Sequence, residues 1–199
     1  MLFRSKCRHI GSNEFLIDDR IEAKEPEKSV QPASFDVPTR LRELRDMYLL
    51  PPDHIAYLKK LKDDGFVPKV IYDIGANVLH WSSEAKKFWP DSEYVLFDAI
   101  PECEVLYKES GMTYHIGVLS DETGKKVDFY QNNYDPGGSS YYVENPEVNP
   151  RAREFFNETH IRKYSTVTLD AVQRLKKLPY PDLIKIDVQG SELDVLKGA

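Results

Sequence analysis

Three short apolar runs, each with an aspartate at or next to its end, constrain this chain more than any other feature. They are Lys69-Val-Ile-Tyr-Asp-Ile74, Tyr94-Val-Leu-Phe-Asp98 and Asp182-Leu-Ile-Lys-Ile-Asp187. Runs this short, without polar alternation, suit strands buried on both faces, and such strands belong to parallel sheets covered by helices. The stretches between them carry the helical period. Trp81, Ala85, Phe88 and Trp89 recur at i, i+4, i+7 and i+8 until Pro90 ends the pattern. Pro101 suits a helix first turn, Cys103, Leu106 and Tyr107 give one face, and Gly111 gives a stop. With a third strand from Thr113 to Leu119, the order is strand–helix–strand–helix–strand, half of a doubly wound α/β domain. Helical spacing returns at Leu169, Val172, Leu175 and Leu178, ahead of the strand ending at Asp187, and Ser191 to Leu196 begins another helix.

The rest of the chain is arranged around this unit. At 199 residues there is room for one domain and a small extension. Residues 1–38 read as a polar tether, and residues 39–66 as two helices. The first carries Leu41, Leu44 and Tyr48; the second is capped by Asp53, carries Ile55, Leu58 and Leu61, and stops at Gly65. The α/β domain then occupies 67–199. Val127 to Tyr130 reads as an added strand after a turn at Asp121 to Gly124, and Gln131 to Lys163 as a long polar loop, functional or disordered. Net charge is −6, and residues 70–199 hold 21 acidic against 14 basic side chains. That balance argues against coating a nucleic-acid backbone. Cys7 and Cys103 match no metal spacing, no apolar run approaches a membrane span, and no secretory signal opens the chain. Cytoplasmic placement is the expectation.

The chemistry is expected at the strand tips. Asp73-Ile-Gly-Ala-Asn77 ends the first strand, where open α/β sheets bind ligands. Gly75 allows close backbone approach, and the following helix offers free N–H groups. This is not the dinucleotide fingerprint, because Leu79 and His80 stand where further glycines belong. Asp98, 25 residues after Asp73, is placed to accept the two hydroxyls of a ribose, so the pair points to a nucleoside-type ligand. Asp187 and Glu192 in Asp187-Val-Gln-Gly-Ser-Glu192 can both face the crevice, to orient a hydroxyl, take its proton or bind a divalent ion. The competing reading of Glu192 is a carboxylate complementing the helix dipole, with Ser191 as cap.

Together these segments resemble the FkbM family of S-adenosylmethionine-dependent methyltransferases. The resemblance runs from about Lys69 to Ala199 and rests on the order and spacing of five segments. These are Ile71-Tyr-Asp-Ile-Gly-Ala-Asn77, Val95-Leu-Phe-Asp98, Gly117-Val-Leu-Ser-Asp121, Thr168-Leu-Asp170, and Ile184-Lys-Ile-Asp-Val-Gln-Gly-Ser-Glu-Leu193 through Leu196-Lys-Gly-Ala199. It implies a Rossmann-like, class I methyltransferase fold, mostly parallel, with a helical N-terminal extension. It further implies that Asp73, Gly75 and Asn77 embrace the methionine part of S-adenosylmethionine, that Asp98 holds its ribose, and that Leu119 and Ser120 lie beside the adenine. The same resemblance implies that Asp187 lies nearest the methyl group. Two departures stand out: Leu79 occupies a position the family usually gives to glycine, and Gln189 one that many members give to glutamate. The family fold also has two further edge strands after the last helix. Their absence before Ala199 raises the expectation of a fragment, a truncated product, or a sheet edge completed by a homodimer or other partner.

The implied activity is O-methylation of a sugar, a glycan or another small hydroxylated acceptor. An acidic crevice attracts a sulfonium cation, and a hydroxyl acceptor needs a base. Asp187, Glu192, His115 and His80 are the candidates, with no metal expected. The acceptor site is expected in the loop from Asn132 to Arg153. There Tyr134, Tyr141 and Tyr142 can stack on sugar faces, Asn132, Asn133, Ser139 and Glu144 can bond hydroxyls, and Gly137 and Gly138 can hinge a lid. Two other classes stay open: a methyltransferase-like interaction protein without turnover, and a nicotinamide-dependent oxidoreductase, disfavoured by the single glycine. A nucleic-acid methyltransferase is weaker still, since the fourth strand lacks an Asn/Asp-Pro-Pro-aromatic motif.

Overall fold

The computed structural model describes residues 36–131 and 136–199; most of the expected tether, and Asn132 to Asp135, lie outside the described residues. The first helix, α1 (Val37–Met47), opens two residues before Thr39 because the Asp36 carboxylate accepts the Thr39 N–H at 3.2 Å. Leu41 and Leu44 are its buried face. In α2 (Pro52–Asp63) the cap position belongs to Pro51, which makes no side-chain bond. Asp53 therefore lies inside the first turn, where the helix dipole favours an acid, and not at the cap.

All five residues of β1 (Val70–Ile74) are buried, as are all but Glu93 of β2 (Glu93–Asp98), which explains their unbroken apolar character. Between them runs α3 (His80–Phe88). After β2, a 3₁₀ turn at Pro101–Cys103 leads into α4 (Glu104–Ser110), closed by Gly111 at φ +69. The expected third strand is two strands. β3 (Thr113–Ile116) pairs in parallel with β2 as far as Asp98, and the chain then turns at Gly117, whose N–H bonds the Asp98 carbonyl at 2.8 Å. Past that point β2 offers no partner. β4 (Val118–Leu119) instead pairs with a strand the sequence reading did not assign, whose first three residues fall at the end of the expected loop.

That strand, β6 (Ile161–Val167), follows β5 (Lys126–Tyr130) and a short helix, α5 (Ala152–Phe155), and it pairs antiparallel with β5. Its exposed face carries Lys163 and Ser165, which dilutes its hydropathy. Thr168 caps α6 (Leu169–Lys176) by accepting the Ala171 N–H. Leu169 and Val172 are buried, but Leu175 is 84% exposed: the helix ends in a left-handed Lys177, and Leu178 packs from beyond it. β7 (Leu183–Ile186) and α7 (Glu192–Lys197) complete the chain.

The main sheet is parallel, in the order β3-β2-β1-β7. Apolar side chains from α1 and α4 pack on one set of strand residues, with Leu96 among them, while Val172 and Val195 pack with Tyr72, Val95 and Phe97. This is a Rossmann-like α/β architecture, and its strand order reverses between β1 and β7. No helix among the described residues is long and apolar enough to cross a membrane.

Candidate active site

The tips of β1, β2 and β7 open onto a cleft holding about 650 Å³, part of it open to solvent. Its floor is the turn after β1. The N–H groups of Gly75 and Ala76 bond the Phe97 carbonyl at 2.8 and 3.1 Å, which ties the turn to β2. Gly75 has φ +77, and a Cβ on it would stand 1.9 Å from the carbonyl oxygen of Asp187. Glycine is needed here because the tip of β7 leaves no room for a side chain, whatever a ligand requires.

Asp73 lies beneath this floor and is fully buried. Ser82 donates to its Oδ2 at 2.5 Å, and the Lys185 ammonium sits 3.0 Å from its Oδ1. Lys185 also donates to the Gly75 carbonyl at 2.7 Å, so one lysine joins β1, β7 and the turn. The sequence reading quoted Lys185 within a motif and gave it no role. The available signal was a charged residue inside a strand otherwise apolar.

Asp98 does line the cleft and is 8% exposed. Its Oδ2 accepts the Asn77 N–H at 2.6 Å and its Oδ1 the Ile100 N–H at 2.9 Å. The Tyr107 hydroxyl also acts on it, and a carboxylate with about four acceptor positions keeps room for a further donor. Burial pushes this carboxyl above the usual carboxylate range, against the pull of the two backbone N–H groups. Asn77 also lines the cleft, at φ +46, with its Oδ1 buried and unpartnered and its carbonyl accepting from Tyr107 at 2.8 Å. Leu79, where glycine was the expected residue, is left-handed at φ +70 and 3% exposed.

On the other side of β1, Asp187 is exposed in the cleft wall, its Oδ1 accepting from the Gln189 amide at 2.9 Å. Glu192 is not in that wall. Its carboxylate accepts the N–H groups of Val188 and Gly190 at 3.0–3.2 Å and so fastens the β7–α7 turn. Ser191 makes no side-chain cap. His80 borders the cleft at the start of α3, its Nδ1 buried and unpartnered and its ring edge-on to Tyr48 at 5.8 Å. Burial, then the charge of Lys185, hold the His80 imidazolium below its ordinary range. His115 is not in the cleft wall. It lies on β3 against Phe97, and burial again lowers it.

Leu119 lines the cleft, whereas Ser120 is buried behind it, within 3.2 Å of the Tyr141 hydroxyl. Asn132 and Tyr134 lie outside the described residues. Of the two described tyrosines, Tyr141 lines the cleft and Tyr142 does not, and both donate to Asp194 of α7, at 3.0 and 2.7 Å. Asp194 was not foreseen; nothing in its local sequence marks it.

A parallel sheet opening at its switch point, with one acid at the tip of β2 and another at the tip of β7, defines a Rossmann-like ligand-binding domain. Within that class the chain belongs to the FkbM methyltransferases, since the methyltransferase FkbM domain matches residues 73–199. It is also similar to a protein named Methyltransferase 1 from Beauveria bassiana (strain ARSEF 2860). The two are 27% identical over 152 residues, covering 68% of this chain and 59% of the relative. The chain thus spans rather more than half the length of that relative. No solved structure matches significantly.

Proposed function

We propose that this protein is an S-adenosylmethionine-dependent O-methyltransferase acting on a hydroxyl of a sugar, a glycan or another small hydroxylated acceptor. The observation that carries the reading is Asp98. It lies in the cleft wall with each oxygen holding one backbone N–H, and its remaining acceptor capacity suits a vicinal ribose diol. Ile100 and Leu119, both in the cleft wall, offer apolar surface for a purine. Gly75 and Asn77 border the floor on which the methionine end would lie, with Asp73 acting from below through Lys185 and Ser82.

When bound, the cofactor supplies an electrophilic methyl group on a sulfonium. The protein's part is alignment and proton management. Asp187, across β1 from Asp98, is the base in this reading: its carboxylate would orient the acceptor hydroxyl and accept its proton. Gln189 holds one of its oxygens and leaves the other for the acceptor. Glu192 is already committed to backbone N–H groups, and His115 lies away from the cleft wall, so neither shares that role.

Two measurements test this. Calorimetry with S-adenosylmethionine, its demethylated product and NAD should show binding of the first two only, and Asp98→Asn should weaken it about tenfold or more. Methyl transfer to a glycan panel should fall about 10²-fold in Asp187→Asn, with cofactor affinity within about threefold of wild type. Absence of binding to any S-adenosyl compound would remove the cofactor reading. A fast Asp187→Asn would move the base to His80.

A further inference from the structure

We propose that Asp194 is a positioning residue that clasps the loop after β5 onto α7 and so fixes Tyr141 in the wall of the cleft. The consequence for ligand affinity rests on the cofactor reading above. Asp194 is 8% exposed and does not itself line the cleft. Its Oδ2 accepts from Tyr142 at 2.7 Å and from Tyr141 at 3.0 Å, two phenols that come from a segment more than fifty residues earlier. The Tyr141 hydroxyl also lies 3.2 Å from Ser120 Oγ at the end of β4. The Tyr141 hydroxyl therefore links α7 to the end of β4.

The helix that carries it is held in place. Gly198, at the end of α7, packs so closely on the Ser120 carbonyl that a Cβ would approach it to 2.2 Å. Asp194 is thus a fixed post and the loop is what it holds. Burial, followed by the bond to Asp194, pushes the Tyr142 phenol up to about 12, and burial pushes Tyr141 up as well, so both remain protonated donors at neutral pH. Beyond the clasp, Tyr141 shares the cleft wall with Leu119, Gly138 and Ser139. A wall held by hydrogen bonds can release and re-form around an entering ligand without exposing apolar core. Truncating Asp194 removes the acceptor the two phenols share, and with it the bond that ties the wall to α7.

The test pairs calorimetry, using the demethylated cofactor, with hydrogen exchange across residues 137–144, on wild type, Asp194→Ala, Asp194→Asn and Tyr142→Phe. Asp194→Ala should weaken binding about tenfold and speed exchange in that segment. Asp194→Asn keeps an amide oxygen for the phenols and should stay within about threefold. Tyr142→Phe should fall between, and it carries the test alone should Asp194→Ala fail to fold. Wild-type behaviour of Asp194→Ala and Tyr142→Phe overturns the clasp, as does equal loss in the Ala and Asn variants. A wild type that binds no S-adenosyl compound overturns the cofactor reading and the affinity claim, while the exchange comparison still decides the clasp.

Discussion

Replacing Gly75 by alanine tests how the floor of the cleft is built, because two separable penalties act there. The first is conformational: φ is +77, and the left-handed region costs an L-residue about 1–2 kcal/mol. The second is steric. The new Cβ would stand 1.9 Å from the Asp187 carbonyl oxygen and 2.8 Å from its carbon, backbone atoms that cannot rotate aside. β1 and β7 would have to part at their tips. That loosens the bond from the Asp187 N–H to the Ile74 carbonyl (2.9 Å) and the bond from Lys185 to the Gly75 carbonyl (2.7 Å). The first is worth about 1 kcal/mol, and the second, with a charged donor, about 2 kcal/mol. The total is about 4–5 kcal/mol, a large part of a typical domain stability of about 5–15 kcal/mol.

Gly111 supplies the control. It has φ +69, but nothing lies within 4 Å of the Cβ position, so alanine there adds strain alone, about 1–2 kcal/mol. Denaturant unfolding of wild type, Gly75→Ala and Gly111→Ala should place the two variants about 3 kcal/mol apart. Equal stability of the two would show that backbone conformation alone, and not the tip of β7, keeps glycine at position 75.

Other perturbations follow from the same geometry. Leu79→Gly relieves left-handed strain of about 1–2 kcal/mol but empties a site that is 3% exposed, a loss of about 2–5 kcal/mol. Unfolding should therefore show net destabilisation, and a more stable variant would mean that Leu79 packs poorly. Lys185→Met strands the buried Asp73 carboxylate and should cost about 3–5 kcal/mol, whereas adding Asp73→Asn should restore most of it; additive losses would deny the pairing. His80 and His115 are both held below 6.5 by burial, so below that pH the unfolded chain takes up protons the folded chain refuses. Stability should fall as pH drops from about 7 to about 5, and the fall should be smaller in the His80→Gln, His115→Gln double variant when melting is followed across that range.

How far the sequence could be read depended on which groups a residue's neighbours supply. β1, β2 and β7 were legible because each is an apolar run with an acid at or next to its end, and Asp98 because the end of β2 dictates its place. β6 was hidden by its half-exposed face, and the break at Gly117 by a long-range fact, that β2 ends at Asp98. Side-chain duties were harder still. Glu192 looks like a cleft carboxylate until the turn after β7 presents the Val188 and Gly190 N–H groups to it. Tyr142, expected as a sugar platform, also donates its hydroxyl to Asp194, a duty its position in the sequence does not show. Spacing places a functional group near a strand tip, but the backbone around it decides whether fold or ligand uses it.

That division has an electrostatic consequence. Of the acids gathered at this end of the sheet, Asp73 is paired with Lys185, Glu192 is absorbed by backbone donors, and Asp194 holds two phenols. Asp98 and Asp187 remain as cleft carboxylates, flanking β1 from either side. Among the described residues no lysine or arginine lines the cleft wall, although the Lys185 charge reaches Asp98, and burial holds His80 neutral near pH 7. Such a cleft favours a cation over a neutral ligand of the same shape. On the proposed reading, S-adenosylmethionine and its demethylated product differ in this respect, since only the former carries the sulfonium charge. The ratio of their affinities should therefore shrink as salt rises from about 0.05 M to about 0.5 M, and Asp187→Asn should shrink it at low salt. Calorimetric titration of both compounds against wild type and variant measures the effect. A ratio insensitive to both salt and Asp187 would place the sulfonium away from the tip of β7, and the methyl group with it.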